Sequence, residues 1–158
     1  MTHDLLPRLP GYDPAAPLLA VEDLHVEYGG VRVVNGVSFT VEKGQTLALL
    51  GESGSGKSLT ARAVMGLIRP PKGRVTRGSI RLCGVPLHSA SEETRRRLRA
   101  TTMAMVFQDS LTALNPVLPV GLQIAELFQV HRGMARKVAW KRAVGVLDLV
   151  RIPDAARR

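Results

Sequence analysis

Apolar and polar residues alternate along the first part of the chain, which is the pattern of strands with one buried face. Residues 24–28 and 37–41 follow this period of two, and a short strand is predicted at 31–34, directly after the Gly29-Gly30 pair. Because successive side chains of a strand point to opposite faces, the alternation predicts half-buried antiparallel strands joined by a tight turn.

Two continuous apolar runs interrupt this alternation and predict a different kind of strand. Residues 46–50 (TLALL) and 103–107 (MAMVF) are short enough to be strands buried on both faces, as in a parallel sheet. Further elements are a predicted strand at 78–83 and predicted helices at 57–68, 91–99, 120–128 and 139–150. Ser91, followed by two glutamates, is the predicted N-cap of the second of these helices. This order predicts an α/β fold with an antiparallel β segment, a parallel core sheet and covering helices.

Residues 1–17 contain four prolines and predict a flexible tail without regular structure. The tail lacks the positive start and apolar run of a signal peptide, and the chain has no run of 18 apolar residues that would predict a membrane span. Cys83 is the single cysteine, so no internal disulfide can form. We therefore expect a cytoplasmic protein with one folded region over 18–158.

The basic charge is concentrated in two segments. The 158 residues carry 22 Lys and Arg against 13 Asp and Glu, a formal net charge of +9, and most of the excess lies in 62–99 and 131–158. Solvated helix faces and loops are the favoured explanation, while docking to an acidic protein, a membrane surface or nucleic acid stays open. Few aromatic residues lie among these charges, which argues against a base-stacking platform.

A glycine-rich segment follows the first apolar run and precedes the first predicted helix. Its sequence, GESGSGKS at 51–58, fits the phosphate-loop pattern G-x-x-x-x-G-K-[ST], whose glycines let successive backbone N–H groups turn toward phosphates. We predict that Lys57 reaches the terminal phosphates, with a catalytic role there, and that the Ser58 hydroxyl coordinates Mg²⁺. A chance glycine-rich turn is the alternative. The predicted nucleotide-binding residues here are Gly51, Glu52, Ser53, Gly54, Ser55, Gly56, Lys57, Ser58 and Leu59.

The loop sequence and its position after an antiparallel segment together resemble the ATP-binding subunit of ABC transporters. The resemblance implies a P-loop NTPase fold of the ABC type, with ATP and Mg²⁺ as cofactors. In that family an aromatic residue just before a glycine-rich turn stacks on adenine, and Tyr28 in VEYGG stands in the matching place. Packing in the core or at a strand edge is the alternative role for this tyrosine.

A second segment carries the same resemblance. The sequence FQDSLTALNP at 107–116 looks like the Q loop of the family, whose glutamine reaches Mg²⁺ and the attacking water. The resemblance therefore implies that Gln108 is a metal ligand and a catalytic residue. An amide oxygen suits this position because it coordinates a metal without adding a charge.

The segments GESGSGKS, FQDSLTALNP and VGLQIAE are together similar to the ATPases of peptide and nickel importers, although Ser110 stands where that group usually has proline. This implies a peripheral subunit on the cytoplasmic face of a bacterial membrane, which energises import of peptides or a related small solute by MgATP binding and hydrolysis. The implied partners are integral-membrane permease subunits, contacted from Asp109 to about Glu126, a second ATP-binding subunit and, indirectly, a solute-binding protein. No nucleic-acid partner is expected. An ABC-type ATPase of another transport system and a nucleic-acid-linked P-loop ATPase are the alternatives.

Other parts of the family pattern do not occur in the 158 residues: the LSGGQ signature, the carboxylates after a second apolar strand and the switch histidine. We therefore expect 18–158 to be the N-terminal part of an ABC nucleotide-binding domain, incomplete at its C-terminal end through a cut gene or a shortened product. Such a chain should bind MgATP weakly and barely hydrolyse it, because general-base catalysis supplies about 10²–10⁴-fold. Unpaired strand edges should also favour aggregation.

Overall fold

The computed structural model describes residues 5–108 and 114–155 of the chain. The chain divides into two compact units, Asp4–Ala104 and Met105–Arg158. Within the described residues, the strands are β1 (Leu19–Tyr28), β2 (Val31–Val41), β3 (Gly73–Leu82) and β4 (Val85–Pro86), and the helices are α1 (Lys57–Val64) and α2 (Glu92–Thr101) in the first unit and α3 (Val120–Arg132) and α4 (Arg136–Leu149) in the second.

A four-stranded sheet in the order β2-β1-β3-β4 forms the centre of the first unit, and its neighbouring strands are antiparallel. Strands β1 and β2 form a hairpin through Gly29 and Gly30, whose φ angles of 60° and 80° are open to glycine without steric cost. The predicted hairpin is confirmed. The strands expected at 31–34 and 37–41 are parts of one continuous strand, β2.

A β-bulge in β1 keeps its apolar side chains on one face. The register of β1 shifts between Val21 and Leu24, where Asp23 has a φ of 46°. The extra residue lets Val21 join Leu24 and Val26 in the core although the three are not evenly spaced along the strand. The bulge is held in place because the Asp23 N–H donates to Ser38 Oγ on β2 (2.8 Å).

The apolar face of the sheet shares one hydrophobic core with α1 and α2. Helix α1 contributes Ala63, with Leu59 and Val64 packed at the margin. The buried members from the strands and α2 are Val21, Leu24, Val26, Val34, Ile80, Leu82, Val85 and Leu98. Burial of this surface, which stabilises a fold by roughly 25 cal/mol per Å², holds the two helices on the sheet.

Polar side chains cap and tether α2. Ser91 Oγ accepts a hydrogen bond from the N–H of Thr94 (3.1 Å), which confirms the predicted N-cap. Near the other end, Arg99 donates to the Met65 carbonyl just beyond α1 (3.1 Å). Helix α1 is shorter than the predicted 57–68 because Gly66, with a φ of 64°, turns the chain away from helical geometry.

Residues 5–17 pack against the core, which corrects the expectation of a flexible tail without regular structure. Leu6–Arg8 form a 3₁₀ helix in which Leu6 is buried, and the Asp13 N–H donates to the Cys83 carbonyl (2.9 Å). The residues that dock lie before or between the prolines and are apolar or aromatic: Leu5, Leu6, Leu9 and Tyr12. Prolines disfavour an α-helix in this segment, but they do not prevent neighbouring side chains from packing.

The two apolar runs predicted as buried strands form no strands, and most of their residues are exposed. Residues 46–50 and 103–107 belong to no strand, and Leu50 and Val106 are 91% and 92% exposed. An apolar run becomes a doubly buried strand only where neighbouring strands pair with its edges and helices cover its faces. No described strand pairs with either run, so the expected parallel core sheet does not form among these residues.

Helices α3 and α4 of the second unit pack around small side chains. Ala125 of α3 shares a buried cluster with Ala139 and Ala143 of α4, and alanine side chains let two helices approach closely. Both predicted helices are confirmed, and Gly133, with a φ of 61°, ends α3. In the described parts of the chain, no helix has the length and apolar character needed to cross a membrane.

Alanine substitutions at Leu24 and Leu50 distinguish the core of the structure, which contains Leu24, from the core expected from the sequence, which would also contain Leu50. Leu24 is fully buried, so Leu24→Ala should lower the free energy of unfolding by about 2–5 kcal/mol. Leu50 is exposed, so Leu50→Ala should change it by less than about 0.5 kcal/mol. Urea unfolding followed by far-UV circular dichroism measures both values. Equal losses would place Leu50 in the core and contradict this fold.

Glu92 should make the stability of the first unit sensitive to acid. A hydrogen bond from Arg99 (2.6 Å), with further attraction from Arg69 and Arg95, holds the pKa of Glu92 below its ordinary value of 4.5. With a pKa lowered by folding, the ionised carboxylate stabilises the fold at neutral pH, and this contribution is lost as pH falls through the lowered pKa. Glu92→Gln should therefore destabilise the chain at about pH 7 and have little effect once the carboxyl is protonated.

Urea unfolding of the wild-type chain and Glu92→Gln across this pH range checks the expectation. Glu42→Gln, at an exposed position, is the matched control and should show no such pH-dependent difference. A Glu92→Gln effect that stays constant from neutral to acid pH would show that the ion pairs do not carry the acid sensitivity.

Candidate functional site

Segment 51–58 forms a loop at the N-terminal end of α1. Gly54 and Gly56 have φ angles of 83° and 93°, which other residues rarely adopt. Gly56 is also the N-cap of α1 and lies against β2, since a Cβ there would come within 3.1 Å of the Val33 carbonyl oxygen and of Val34 Cγ2. The two glycines therefore let the loop curve and let it sit directly on the sheet.

The Lys57 ammonium folds back over this loop. Its Nζ donates to the carbonyl oxygens of Gly51 (2.8 Å) and Glu52 (2.6 Å), and Ser55 Oγ lies 3.4 Å away. Residues 51–55 are exposed, so the ammonium group is held beside a surface that a ligand can reach. The structure thus brings Lys57 together with three other predicted nucleotide-binding residues.

The first turn of α1 is anchored on its inner side and open on its outer side. Thr60 is buried, and both its hydroxyl (3.0 Å) and its N–H (2.8 Å) donate to the Gly56 carbonyl. Ser58 is exposed, whereas the Leu59 side chain packs at the margin of the core. Of these two predicted site residues, Ser58 can therefore offer its side chain to a ligand, whereas Leu59 can offer only its backbone N–H.

This arrangement suits an anion that carries phosphate groups. The first N–H groups of a helix have no carbonyl partner within the helix, and the positive end of the helix dipole adds to the charge of Lys57. In the described chain, no group of three His, Cys, Asp or Glu side chains could hold a metal ion. Of the two predicted Mg²⁺ ligands, Ser58 lies at this loop, and its role in binding the ion stays a prediction.

Two further predicted site residues lie outside the loop. Tyr28 is half-buried at the end of β1 and lines a cavity of about 300 Å³ together with Arg62 and residues 67–72. Gln108 is exposed and belongs to the second unit. The residues after it, 109–113, lie outside the described part of the chain. Adenine stacking by Tyr28 and metal binding by Gln108 stay predictions.

Gln123 holds the turn that follows the predicted Q loop, a role that the motifs did not reveal. The Asn115 N–H donates to Gln123 Oε1, and Gln123 Nε2 donates to the carbonyls of Asn115 and Leu118, each at 2.9 Å. An amide side chain carries both a donor and an acceptor, so one residue can close the turn. The sequence feature that could have indicated this role is a glutamine in the first turns of a helix that begins shortly after an Asn-Pro pair.

Comparison with known sequences agrees with this combination of phosphate loop and antiparallel sheet. The sequence model of the ABC transporter family matches residues 34–158, and the chain belongs to this family.

Several curated relatives are named as peptide transport proteins. The dipeptide transport ATP-binding protein DppD of Bacillus subtilis is 44% identical over 145 residues, which cover 89% of this chain and 43% of that protein. The oligopeptide transport ATP-binding proteins OppD of Bacillus subtilis and Salmonella typhimurium are 45% and 42% identical, over 89% and 92% of this chain and 40% and 44% of theirs. The chain thus spans less than half the length of these relatives.

A solved structure supports the same fold. The ATP-binding cassette MJ0796, in a dimeric post-hydrolysis state bound to ADP and Pi, aligns with a TM-score of 0.72 over 86% of this chain and 58% of that one. Its sequence is 19% identical, so the match bears on the fold alone. It confirms the ABC-type fold class, within which the segments 46–50 and 103–107 depart from the expected strands.

Gln123→Ala should loosen the turn at Asn115 without unfolding α3. The change removes the acceptor of the Asn115 N–H, and a hydrogen bond of this kind contributes about 0.5–1.5 kcal/mol. Amide hydrogen exchange at Asn115 should therefore become about 2–10-fold faster. Gln129→Ala, further along the same helix, is the matched control and should leave that rate unchanged. An unchanged rate in Gln123→Ala would show that the turn does not depend on these hydrogen bonds.

Proposed function

We propose that this chain supplies the nucleotide-binding part of an ATP-binding subunit that energises peptide import. The observation that carries the proposal is the loop at 51–58, where Lys57 Nζ lies over the carbonyl oxygens of Gly51 and Glu52 at the start of a helix. A loop of this sequence between an apolar segment and a helix is suited to nucleotide phosphates. The names of the relatives, dipeptide and oligopeptide transport ATP-binding proteins, favour peptides over nickel or another small solute as cargo.

In this proposal the loop holds the phosphates of MgATP. Backbone N–H groups of residues 51–59 donate to phosphate oxygens, and the Ser58 hydroxyl is a ligand of the Mg²⁺ ion that accompanies them. Because a lysine ammonium carries three donors, Lys57 can keep a loop carbonyl while it donates to a terminal phosphate. Tyr28 stacks on the adenine, and Gln108 reaches the ion and orients the attacking water.

The proposed assembly places this subunit on the cytoplasmic face of the cell membrane. The segment from Asp109 to Glu126 contacts integral-membrane permease subunits, a second ATP-binding subunit completes a pair, and a solute-binding protein acts indirectly. The relatives named for peptide transport and peptide import support these partners. The turn held by Gln123 lies within the proposed contact segment and would give its C-terminal half a defined shape.

For hydrolysis, we propose that the 158 residues alone contribute little. The described acidic residues after Gln108 are Glu126 on α3, Asp148 on α4 and Asp154 in the turn that follows. None of these three directly follows an extended apolar segment, which is where the family pattern expects its catalytic carboxylates. Without a general base the reaction loses about 10²–10⁴-fold, so binding of MgATP should far exceed its turnover.

Isothermal titration calorimetry of MgATP with the whole 158-residue chain tests this function. Lys57→Ala should abolish binding, because it removes the ammonium that faces the phosphates. Tyr28→Ala should weaken binding by roughly tenfold, the scale of one base–aromatic stack. Lys137→Ala, at an exposed position on α4, is the matched control and should bind as the wild-type chain does.

The outcomes separate the parts of the proposal. Unchanged MgATP affinity in both Lys57→Ala and Tyr28→Ala would contradict the assigned site. Steady phosphate release by the wild-type chain that Lys57→Ala abolishes would contradict the proposed lack of turnover, while leaving the binding site in place.

A further inference from the structure

We infer that Gly73 is a positioning residue that seats the Tyr28 ring as a wall of the adenine pocket. The inference rests on the proposed function, because it takes Tyr28 to stack on adenine. Gly73 is not among the glycines with a positive φ, so backbone geometry does not explain a glycine at this residue. The explanation lies in the space beside it.

The Tyr28 ring occupies the space that a side chain at residue 73 would need. Gly73 begins β3 and pairs across the sheet with Tyr28. A Cβ on Gly73 would lie 2.7 Å from Tyr28 Cδ2, 2.8 Å from the Glu27 carbonyl oxygen and 3.1 Å from Ile68 Cγ2. The ring therefore lies close against the bare backbone of Gly73, a cross-strand pairing in which an aromatic side chain covers a glycine.

The Tyr28 ring seated in this way also borders a cavity. Tyr28 lines the cavity of about 300 Å³ together with Arg62, Pro71 and Lys72, whereas Gly73 is not in its lining. An effect of Gly73 on a molecule in this cavity must therefore act through a neighbour that lines it, and Tyr28 is the nearest, since a Cβ on Gly73 would lie 2.7 Å from its ring and 3.1 Å from Ile68. The lining also carries positive charge, which suits the electron-rich ring of a nucleobase.

The cavity lies beside the same face of α1 as the phosphate loop. Arg62, which lines the cavity, is four residues beyond Ser58 on α1, and residues four apart lie on one helix face. Four residues of helix advance about 6 Å. A nucleotide with its phosphates at Ser58 can therefore extend along this face so that its base reaches the Tyr28 ring.

Titration of the whole chain with two ligands, MgATP and magnesium tripolyphosphate, tests the inference. In Gly73→Ala, the added Cβ displaces the ring, so the Kd for MgATP should rise by roughly tenfold, the scale of one base–aromatic stack. The Kd for tripolyphosphate, which has no base, should not change. In a Tyr28→Ala background, Gly73→Ala should cause no further loss. Gly145→Ala on α4, where a Cβ meets nothing within 4 Å, is the control and should keep both affinities.

Each outcome of these titrations either supports or overturns the inference. A wild-type chain that does not bind MgATP overturns the proposed function and this inference with it. Normal MgATP affinity in Gly73→Ala, equal losses for both ligands, or a further loss in the double variant overturns this inference alone. If circular dichroism shows that Gly73→Ala does not fold alone, the double variant with Tyr28→Ala separates the explanations. Recovered folding in the double variant shows that the ring occupies the space beside Gly73 and supports the inference. A double variant that also fails to fold shows that the Glu27 carbonyl, and not the ring, requires the glycine, which overturns the inference.

Discussion

Strand β1 pairs with β2 along one edge and with β3 along the other, and the rest of the first unit is built on this double pairing. The bulge at Asp23 directs Val21 and Leu24 into the core that α1 shares. Strand β2, held by β1, is the surface on which Gly56 rests, and β3 carries Gly73 to the ring of Tyr28. The phosphate loop is polar and exposed, yet its position depends on a sheet to which it contributes no strand.

The sequence was sufficient wherever a structure is determined by neighbours along the chain. The Gly29-Gly30 hairpin and the Ser91 cap depend on residue types within a few positions, and both form as predicted. The segment 51–58 leads into a helix as predicted, although the strand expected at 46–50 does not form. Burial of an apolar run is different, because it depends on which strands pair with it. Leu50 and Val106 have the composition of buried strand residues, but composition alone does not supply a pairing partner.

The same distinction applies within the site. The residue types of the loop could be predicted to surround phosphates, whereas the hydrogen bonds of Lys57 to the loop carbonyls required the folded structure. Leu59 belongs to the predicted set by position, but its side chain packs on the core because it lies on the inner face of α1. Gly73 and Gln123 were missed because their roles depend on Tyr28 and Asn115, which no motif connects to them.

Charge pairing shows why the net charge of +9 says little about the site. Among the described residues, ion pairs with carboxylates are formed by several arginines of the first unit, including Arg69, Arg74, Arg77, Arg81, Arg95, Arg96 and Arg99. The hydrogen-bond partners of Lys57 are instead neutral, two carbonyls and a hydroxyl. Neutral oxygens orient the ammonium without cancelling its charge. The lysine at the loop is therefore better placed to attract an anion than the more numerous arginines, whose charge is largely compensated. The arginine-rich segment thus agrees with a paired, solvated surface, and the proposed phosphate site at 51–58 does not depend on it.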